Sequence, residues 1–582
     1  MVGKSPSKTV CLAWCTTLGV VDRRHCMSQA VGQGASGSFA SHEGEAAVAR
    51  DAGSRPVMDK LHPGAAADAE LELKLMTDEQ TLHAMLASPI WQKAARATTD
   101  RELSSVYFDQ DDFSLIKSGI TFRIRTAESG RILTVKSDKN GGSHALMRGE
   151  WEVSLPETPA KRENGARSTE LLNLLPANLP AELAERLRSK ELKPMVRTDV
   201  RRRTLELETA TGTVEVAADE GAIVVGRKRL PIAEIELELK SGSPEAIYLA
   251  ALELAAEHAA HVSIHAKSAR GFEVAMHQPP SFSKGQPVEF PVSISLDNAF
   301  AIMLQSAFGD MLRNAPAARD GRDPEGLHQY RVALRRLRSL LSLMRRLVDG
   351  HTFEMLRAEA KALMSRLGKA RDLDVFVTET WPRMSGAGVD SDGAADVSDA
   401  AEELRRKAHR DVVAALDDKR TTHFILNLGL WIERRGWLSE ARHDAIGVLN
   451  GSAEDFGNRT VQALRDKALK KGRGFRKLSP DARHQVRIAI KKLRYAYQFF
   501  QPLLKGSSKR KKFAKALANL QTALGEHNDR VVMNRLIHTV LETEPSAKAH
   551  LAAGFVLGRN AALLADDDQG LLKAWRRFKA SN

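Results

Sequence analysis

The pentapeptide Glu-Leu-Glu-Leu-Lys occurs twice in this chain, at Glu70–Lys74 and again at Glu236–Lys240. On a strand, side chains alternate between faces, so Glu70, Glu72 and Lys74 share one face and two leucines the other, and the second copy repeats this with Glu236, Glu238 and Lys240. A half-solvated sheet edge gives the same pattern, with leucines inward and charges in water. The strands between the copies argue for something else. Thr121-Phe122-Arg123-Ile124-Arg125, Thr134-Val135-Lys136, Glu150-Trp151-Glu152-Val153 and Arg202-Arg203-Thr204-Leu205 also alternate, and each mostly carries one sign, whereas a solvated face would mix signs within a strand. Segregated charge on one face of several strands predicts a closed antiparallel sheet, its lumen lined by carboxylates on one wall and by Arg and Lys on another. Gathering so many charges in one interior calls for a ligand that is itself highly charged.

Taken in order, these pieces resemble the CYTH domain of the triphosphate tunnel metalloenzymes. The resemblance opens at Glu70-x-Glu72-x-Lys74. It continues through Tyr107-Phe108-Asp109, Arg123-x-Arg125, Lys136, Arg148-x-Glu150-x-Glu152, Arg202, Asp219-x-Gly221 and Glu234-x-Glu236-x-Glu238, and it closes at Lys267-Ser268-x-Arg270-Gly271-Phe272. Gln110 departs from the pattern, in which a Thr often follows the Tyr-Phe-Asp. Of the three adjacent arginines Arg201 to Arg203, Arg202 is assigned to the lumen, because Leu205 and Leu207 then fall on the outer face.

The resemblance implies a multidomain chain whose N-terminal α+β part is an antiparallel β-barrel, a tunnel for triphosphate. It implies metal-dependent hydrolysis of inorganic triphosphate to diphosphate and orthophosphate. Glu70, Glu72 and Lys74 are the expected catalytic set. Glu70, Glu72, Asp219, Glu236 and Glu238 offer hard oxygen ligands suited to Mg²⁺ or Mn²⁺, and Arg123, Arg125, Lys136, Arg202 and Lys267 are expected on the substrate's phosphate oxygens. CYTH relatives also include thiamine triphosphatases and adenylate cyclases, so thiamine triphosphate and ATP are alternative substrates. A tunnel that has become a passive polyanion receptor is the non-enzymatic alternative. The complete carboxylate set favours an enzyme, since anion binding alone would be better served without it. No Gly-x-x-x-x-Gly-Lys loop and no dinucleotide fingerprint is present to support a nucleoside pocket.

At 582 residues and 43% hydrophobic content the chain exceeds one core and should form several folded domains. The expected layout is a disordered or mis-started extension over 1–66, the CYTH domain over 67–276, a linker over 277–289 containing His277-Gln278-Pro279-Pro280-Ser281, and a helical domain over 290–582. Cys11, Cys15 and Cys26 all lie in the first 26 residues, which leaves the folded regions without thiols and fits a reducing cytosol. No run of about 18 apolar residues exists, so a membrane span is not expected. The expected location is cytoplasmic, with association with polyphosphate granules included.

Charge is unevenly placed. Residues 281–582 hold 52 Lys and Arg against 35 Asp and Glu, a net of +17, and the remainder carries −3. Within this half the sequence repeats at an offset of 156 residues: His328, Arg331, Arg335, Leu337 and Arg338 align with His484, Arg487, Lys491, Leu493 and Arg494. Two related helical units are implied, placed at about 290–385 and 400–582. On a helix, His328, Arg331, Arg335 and Arg338 fall within an arc of roughly 80°, opposite Leu334, Leu337, Leu340 and Leu341. Arg487, Lys491 and Arg494 do the same opposite Ile490, Leu493, Ala496 and Tyr497. A solvated helix face would carry interspersed acids, yet none lies between Arg331 and Arg346 or between Arg483 and Lys505. An anionic ligand is therefore expected. A second pair of matching elements follows, Leu367-Gly368 to Asp372 and Leu524-Gly525 to Asp529.

This half resembles the CHAD domain, which implies two pseudo-symmetric all-α bundles whose basic helices bind inorganic polyphosphate through His328, Arg331, Arg335, Arg338, His484, Arg487, Lys491 and Arg494. Lys491 and Lys492 replace arginines of the first copy, which implies looser phosphate geometry there. Nucleic acid is not expected, because aromatics make up only 5% of the chain and base-stacking platforms need them. The motifs leave the oligomeric state open.

Overall fold

The alternation that segregates charge also builds the sheet that carries it. In the computed structural model, described for residues 69–93, 98–137, 147–156, 172–386, 388–504, 508–543, 545–566 and 568–581, nine strands form one antiparallel sheet. They are β1 (Ala69–Met76), β2 (Thr99–Asp109), β3 (Ile120–Ala127), β4 (Gly130–Ser137), β5 (Met147–Leu155), β6 (Lys193–Thr209), β7 (Gly212–Val225), β8 (Lys228–Gly242) and β9 (His261–Ser263), in the spatial order β5-β4-β3-β2-β6-β7-β8-β1-β9. One edge of β1 pairs with β8. Its other edge is divided, with Ala69–Leu71 on β5 and Lys74–Met76 on β9. The strand at one end of the order thus also meets the strand near the other. The expected N-terminal extension, with its three cysteines, lies outside the described residues.

Away from the charges, the strands bury the apolar half of their alternation. Leu71, Leu73 and Leu75 of β1, Val214 and Val216 of β7, and Ile235 and Leu237 of β8 sit beneath helix α1 (Glu79–Leu86) and, further along the chain, α3 (Glu245–Leu254). Phe122, Ile124, Leu133, Val135 and Trp151 pack instead with Leu183 and Leu187 of α2 (Ala181–Arg188). Helix α4 (Lys267–Ala275) lies on β6 and β7 through Phe272. Gly221 is required where β7 crosses β6: a Cβ there would stand 2.1 Å from the Asp199 carbonyl oxygen.

Beyond residue 295 the described structure is helical. The helices are α5 (Leu296–Asp320), α6 (Pro324–Met344), α7 (His351–Arg366), α8 (Gly368–Val375), α9 (Ser391–Asp417), α10 (Lys419–Glu433), α11 (Ala453–Lys471), α12 (Pro480–Phe500), α13 (Ser508–Leu541), α14 (Ala547–Asp566) and α15 (Asp568–Ala580), with shorter turns between some of them. The two basic segments start by the same device, a capping residue followed by proline in the first turn. Asp323 accepts the N–H of Glu325 ahead of α6, and Ser479 accepts that of Ala482 ahead of α12, each proline being placed where its missing N–H is harmless. Helix starts recur at 296 and 453, 324 and 480, 351 and 508, and 391 and 547. On this spacing α9 and α14 fall at corresponding places.

Sheet and helices belong to one compact unit, and their apolar cores are continuous. Helix α3 is apolar almost all round, burying Ala246, Ile247, Tyr248, Ala250, Ala251 and Leu254, because one side covers the sheet and the other meets α10. The Tyr248 ring rests on Gly429 of α10, where a Cβ would stand 2.1 Å from its Cε1, and it faces Phe308 of α5. The expected linker is pinned as well: the Ser283 N–H donates to Asn314 Oδ1 at 2.9 Å, and Asn314 Nδ2 donates back to the Ser283 carbonyl at 3.0 Å. Among the described residues no helix is long and apolar enough to cross a membrane.

Candidate functional site

Alternate residues of β1 to β8 converge on a cavity of about 320 Å³, near the lower end of ligand-pocket volumes. Seven carboxylates line it: Glu72, Glu150, Glu152, Glu215, Asp219, Glu236 and Glu238. Seven cationic side chains line it with them: Lys74, Arg123, Arg125, Lys136, Arg202, Lys240 and Lys267. The two signs are interleaved and not set on separate walls as expected, because Lys74 and Lys240 share strands with Glu72 and Glu238 and Lys136 is the direct partner of Glu150. The register brings like charges side by side, since Glu72 is the direct partner of Glu238 and Glu238 of Glu215. Such rungs are unfavourable alone, and lysines relieve them. Lys74 bridges Glu72 and Glu236, and the Lys240 ammonium lies 2.7 Å from Glu238 and 3.7 Å from Glu215.

At the inner end the charges are knotted. The Lys267 ammonium, carried by the first residue of α4, lies 2.6 Å from Asp219, 2.5 Å from Glu234 and 2.8 Å from Glu236. Arg202 donates to both Asp219 oxygens, at 2.7 and 2.6 Å, and to Glu236. Arg270 closes on Glu234. Burial opposes the charge of Lys267, yet Asp219, Glu234 and Glu236 outweigh it and hold the ammonium above its ordinary range. Burial likewise opposes Arg202, which Asp219 and Glu236 keep well above its ordinary value. Glu236, which burial alone would raise, is held well below the carboxylate range by Lys267, Lys74 and Arg202. Arg201 and Arg203 turn elsewhere, to Asp100.

On β3 and its neighbours, Arg123 lies opposite Tyr107 in the register and 3.6 Å from Glu150, while Lys136 is 3.1 Å from Glu150. Burial works against the Arg123 charge, and Tyr107 and Glu150 overcome it to raise the guanidinium. Its Nε is buried without a hydrogen-bond partner among the described residues. Asp109 serves the backbone instead of the cavity: its carboxylate accepts the N–H groups of Gln110, Leu115 and Ile116. Gln110 fastens this turn to α2, donating to the Arg186 carbonyl and to Ser189.

Of the residues singled out from sequence, Glu72, Lys74, Arg123, Arg125, Lys136, Arg202, Asp219, Glu236, Glu238 and Lys267 meet at this cavity. Glu70 stands on β1 opposite Arg148, with its side chain outside the described residues. Glu234 was given no role in advance, although it shares the Glu-x-Glu-x-Glu face. It is fully buried, and its oxygens lie within 4.8 Å of those of Asp219 and Glu236, a grouping able to ligate a metal. Both carboxylate groups already carry cations, Lys267 and Arg202 on Asp219 and Glu236, and Lys74 and Lys240 on the Glu72, Glu238 and Glu215 rung; all are hard oxygen donors of the kind that suits Mg²⁺ or Mn²⁺.

Helices α6 and α12 are in contact, and Arg335 of the one lies near Arg487 and Lys491 of the other. Burial, the neighbouring Arg335 and other cations push Arg331 down to about 10 despite Asp372, and burial, Arg487 and Arg335 push Lys491 down to about 8. Burial lowers Arg338, with Arg335 adding to it, and lowers Arg487 although Asp529 opposes. His328 is lowered by burial and Arg371. The Nε atoms of Arg335 and Arg487 are buried without a hydrogen-bond partner among the described residues. Asp372 and Asp529, from the two Leu-Gly elements, lie among these cations, and Arg535 donates to Asp372 at 3.2 Å. Of the remaining residues singled out here, His484 is exposed and Arg494 half-buried.

Comparison with known proteins agrees with this division. Residues 68–272 match the CYTH domain and residues 302–538 the CHAD domain, so the chain is a protein of CYTH and CHAD domains. Among characterised proteins it is similar to the inorganic triphosphatase of Haemophilus influenzae, with 31% identity over 172 residues, which is 29% of this chain and 45% of that protein. The chain thus spans less than half the length of that relative. Among solved structures it is similar to the CHAD domain of the plant Ricinus communis, at 29% identity, covering 52% of this chain and 98% of that one with a TM-score of 0.45. It is also similar to PptA from Streptomyces chartreusis, at 18% identity over 49% of this chain and 100% of that one, with a TM-score of 0.37.

Proposed function

We propose that the β1 to β8 cavity is a tunnel in which inorganic triphosphate is hydrolysed to diphosphate and orthophosphate with the help of Mg²⁺ or Mn²⁺, and that the helical half binds polyphosphate. The pairing of β1 with both β8 and β5 supports a closed sheet, and the recurring helix starts support a duplicated bundle. The observation that carries the reading is the balance of seven carboxylates against seven cations around the cavity. A neutral cavity cannot accept a polyanion without added positive charge, whereas a simple anion receptor would be built cationic.

Glu72, Asp219, Glu236 and Glu238 would hold the metal, with Glu234 beside them, and the metal would offset phosphate charge and activate water. Arg123, Arg125 and Lys136 would grip phosphate oxygens at one side of the cavity, with Lys74, Arg202 and Lys267 at the other. In this arrangement the cations orient the anhydride for in-line attack and stabilise charge on departing diphosphate, and a cavity glutamate takes the proton of the attacking water. Among the described residues Tyr107 is the one aromatic residue on the wall, and it is itself buried. A wall of charged side chains suits the inorganic substrate.

The test is phosphate release by the full chain from triphosphate, longer polyphosphate, ATP and thiamine triphosphate, with Mg²⁺ or Mn²⁺ and with EDTA. Fastest release from triphosphate, abolished by EDTA, is expected. Release that ignores the chelator would sink the metal assignment, and none from any substrate would leave a receptor.

A further inference from the structure

The residues that seat Lys267 are not all in the sheet. The chain from Ala255 to Ala266 leads from α3 through the three-residue strand β9 into α4, whose first residue is Lys267. Strand β9 ends the spatial order and, among the described residues, pairs only with Lys74–Met76 of β1, while α5 and α10 pack against it. Its approach is held by hydrogen bonds from outside the sheet. The Thr422 hydroxyl donates to the Ala260 carbonyl, and His423 Nε2 donates to the Ala255 carbonyl at 3.2 Å. Thr422, Ala255 and Ala260 are all buried, so water does not replace these donors, and a buried carbonyl left without one is costly. Thr77 holds the adjacent Ala259 carbonyl from the sheet side at 2.9 Å. At β9 itself, His261 Nδ1 lies 3.7 Å from Asp417 at the end of α9, where Arg319 of α5 also pairs.

We infer that Thr422 and His423, at the start of α10, are positioning residues for the triphosphate site, holding the β9 segment in register so that Lys267 reaches the cavity. This rests on the proposed reading of that cavity. The physical ground is leverage: Lys267 must meet three carboxylates within 2.5 to 2.8 Å, and it begins only four residues after Ser263, whose register partner on β1 is Lys74. A shift of about 1 Å in this segment would part Lys267 from its partners and misplace the cation against a phosphate. An interface contact away from β9 lacks that leverage. Arg434 pairs with Glu245 at 2.8 Å on α3, and this contact does not lead into the cavity.

The experiment uses the full chain with Thr422→Val, which removes the hydroxyl and keeps the shape, Thr422→Ser, which keeps the hydroxyl, and Arg434→Gln as the interface control. For Thr422→Val, kcat/KM for triphosphate should fall about tenfold and amide exchange across residues 261–267 should rise, with polyphosphate binding unchanged. Thr422→Ser should restore both, and Arg434→Gln should leave both at parental values. Parental kcat/KM in Thr422→Val with only a lower Tm would overturn the inference, as would an equal loss in Arg434→Gln. Should the parent hydrolyse no triphosphate, the functional reading falls and exchange alone decides: a rise confined to Thr422→Val supports the positioning role, and no rise ends it.

Discussion

The cavity of the sheet and the paired basic helices both gather cations, under opposite electrostatic conditions. In the cavity Arg123, Arg202 and Lys267 are raised above their ordinary values, because Tyr107 and Glu150 at Arg123, and carboxylates at Arg202 and Lys267, outweigh the burial that opposes them. Between α6 and α12, Arg331, Arg338, Arg487 and Lys491 are all lowered, because burial is joined by like charge. The difference separates two ways of handling an anion. A self-neutralised site stays folded without its ligand and must import positive charge to receive one, which suits chemistry controlled by a metal. A face whose cations outnumber the two aspartates among them, Asp372 and Asp529, is destabilised until an anion arrives, which suits binding alone.

The largest expected effect tests the first half of that contrast. Lys267→Met leaves Asp219, Glu234 and Glu236 short of a shared partner and removes a cation from the substrate's path. Triphosphate kcat/KM should fall by about 10³ while polyphosphate affinity holds at the parental value. A fall below tenfold in steady-state kinetics would make Lys267 a structural residue. Next comes the second half: replacing Arg331, Arg335 and Arg338 together by alanine should weaken long-chain polyphosphate binding by about 10² and flatten its salt dependence. Triphosphate turnover should be untouched. Calorimetry over a salt series reads both, and a slope equal to the parent's would show that these arginines meet no phosphate.

The smallest effect separates the two regions by pH. Lys491 is charged below about 8 in the free protein, and a bound polyanion favours its charged form, so polyphosphate affinity should drop severalfold as pH rises through 8. Stability runs the other way. The unfolded chain keeps this proton up to the ordinary lysine value of about 10.5, so the burden on folding is greatest below pH 8 and lifts between 8 and 10.5. Affinity that is flat from pH 7 to 9 would place Lys491 away from the ligand.

Alternation makes most of the charged lumen legible, because a strand has period two; Asp219 and Lys267, the latter opening a helix, are expected only from the family resemblance, and Glu215 carries no motif. The 3.6-residue period likewise exposed the α6 and α12 faces, and the repeat offset of 156 residues recurs in the helix starts. Only the tertiary structure decided which opposite charges meet. Glu234 could not be told from Glu236 in sequence, since both lie on one face, yet burial and the approach of Lys267 and Arg270 place it in the knot. Asp109 read as part of a motif and proved to be a backbone acceptor for the 110–116 turn. The grip of Thr422 on Ala260 spans 162 residues and has no local signature. Periodicity reports the face on which a side chain lies, because that is set by the backbone within a few residues. The partner across that face is set by how distant segments pack, and no short window of sequence contains it.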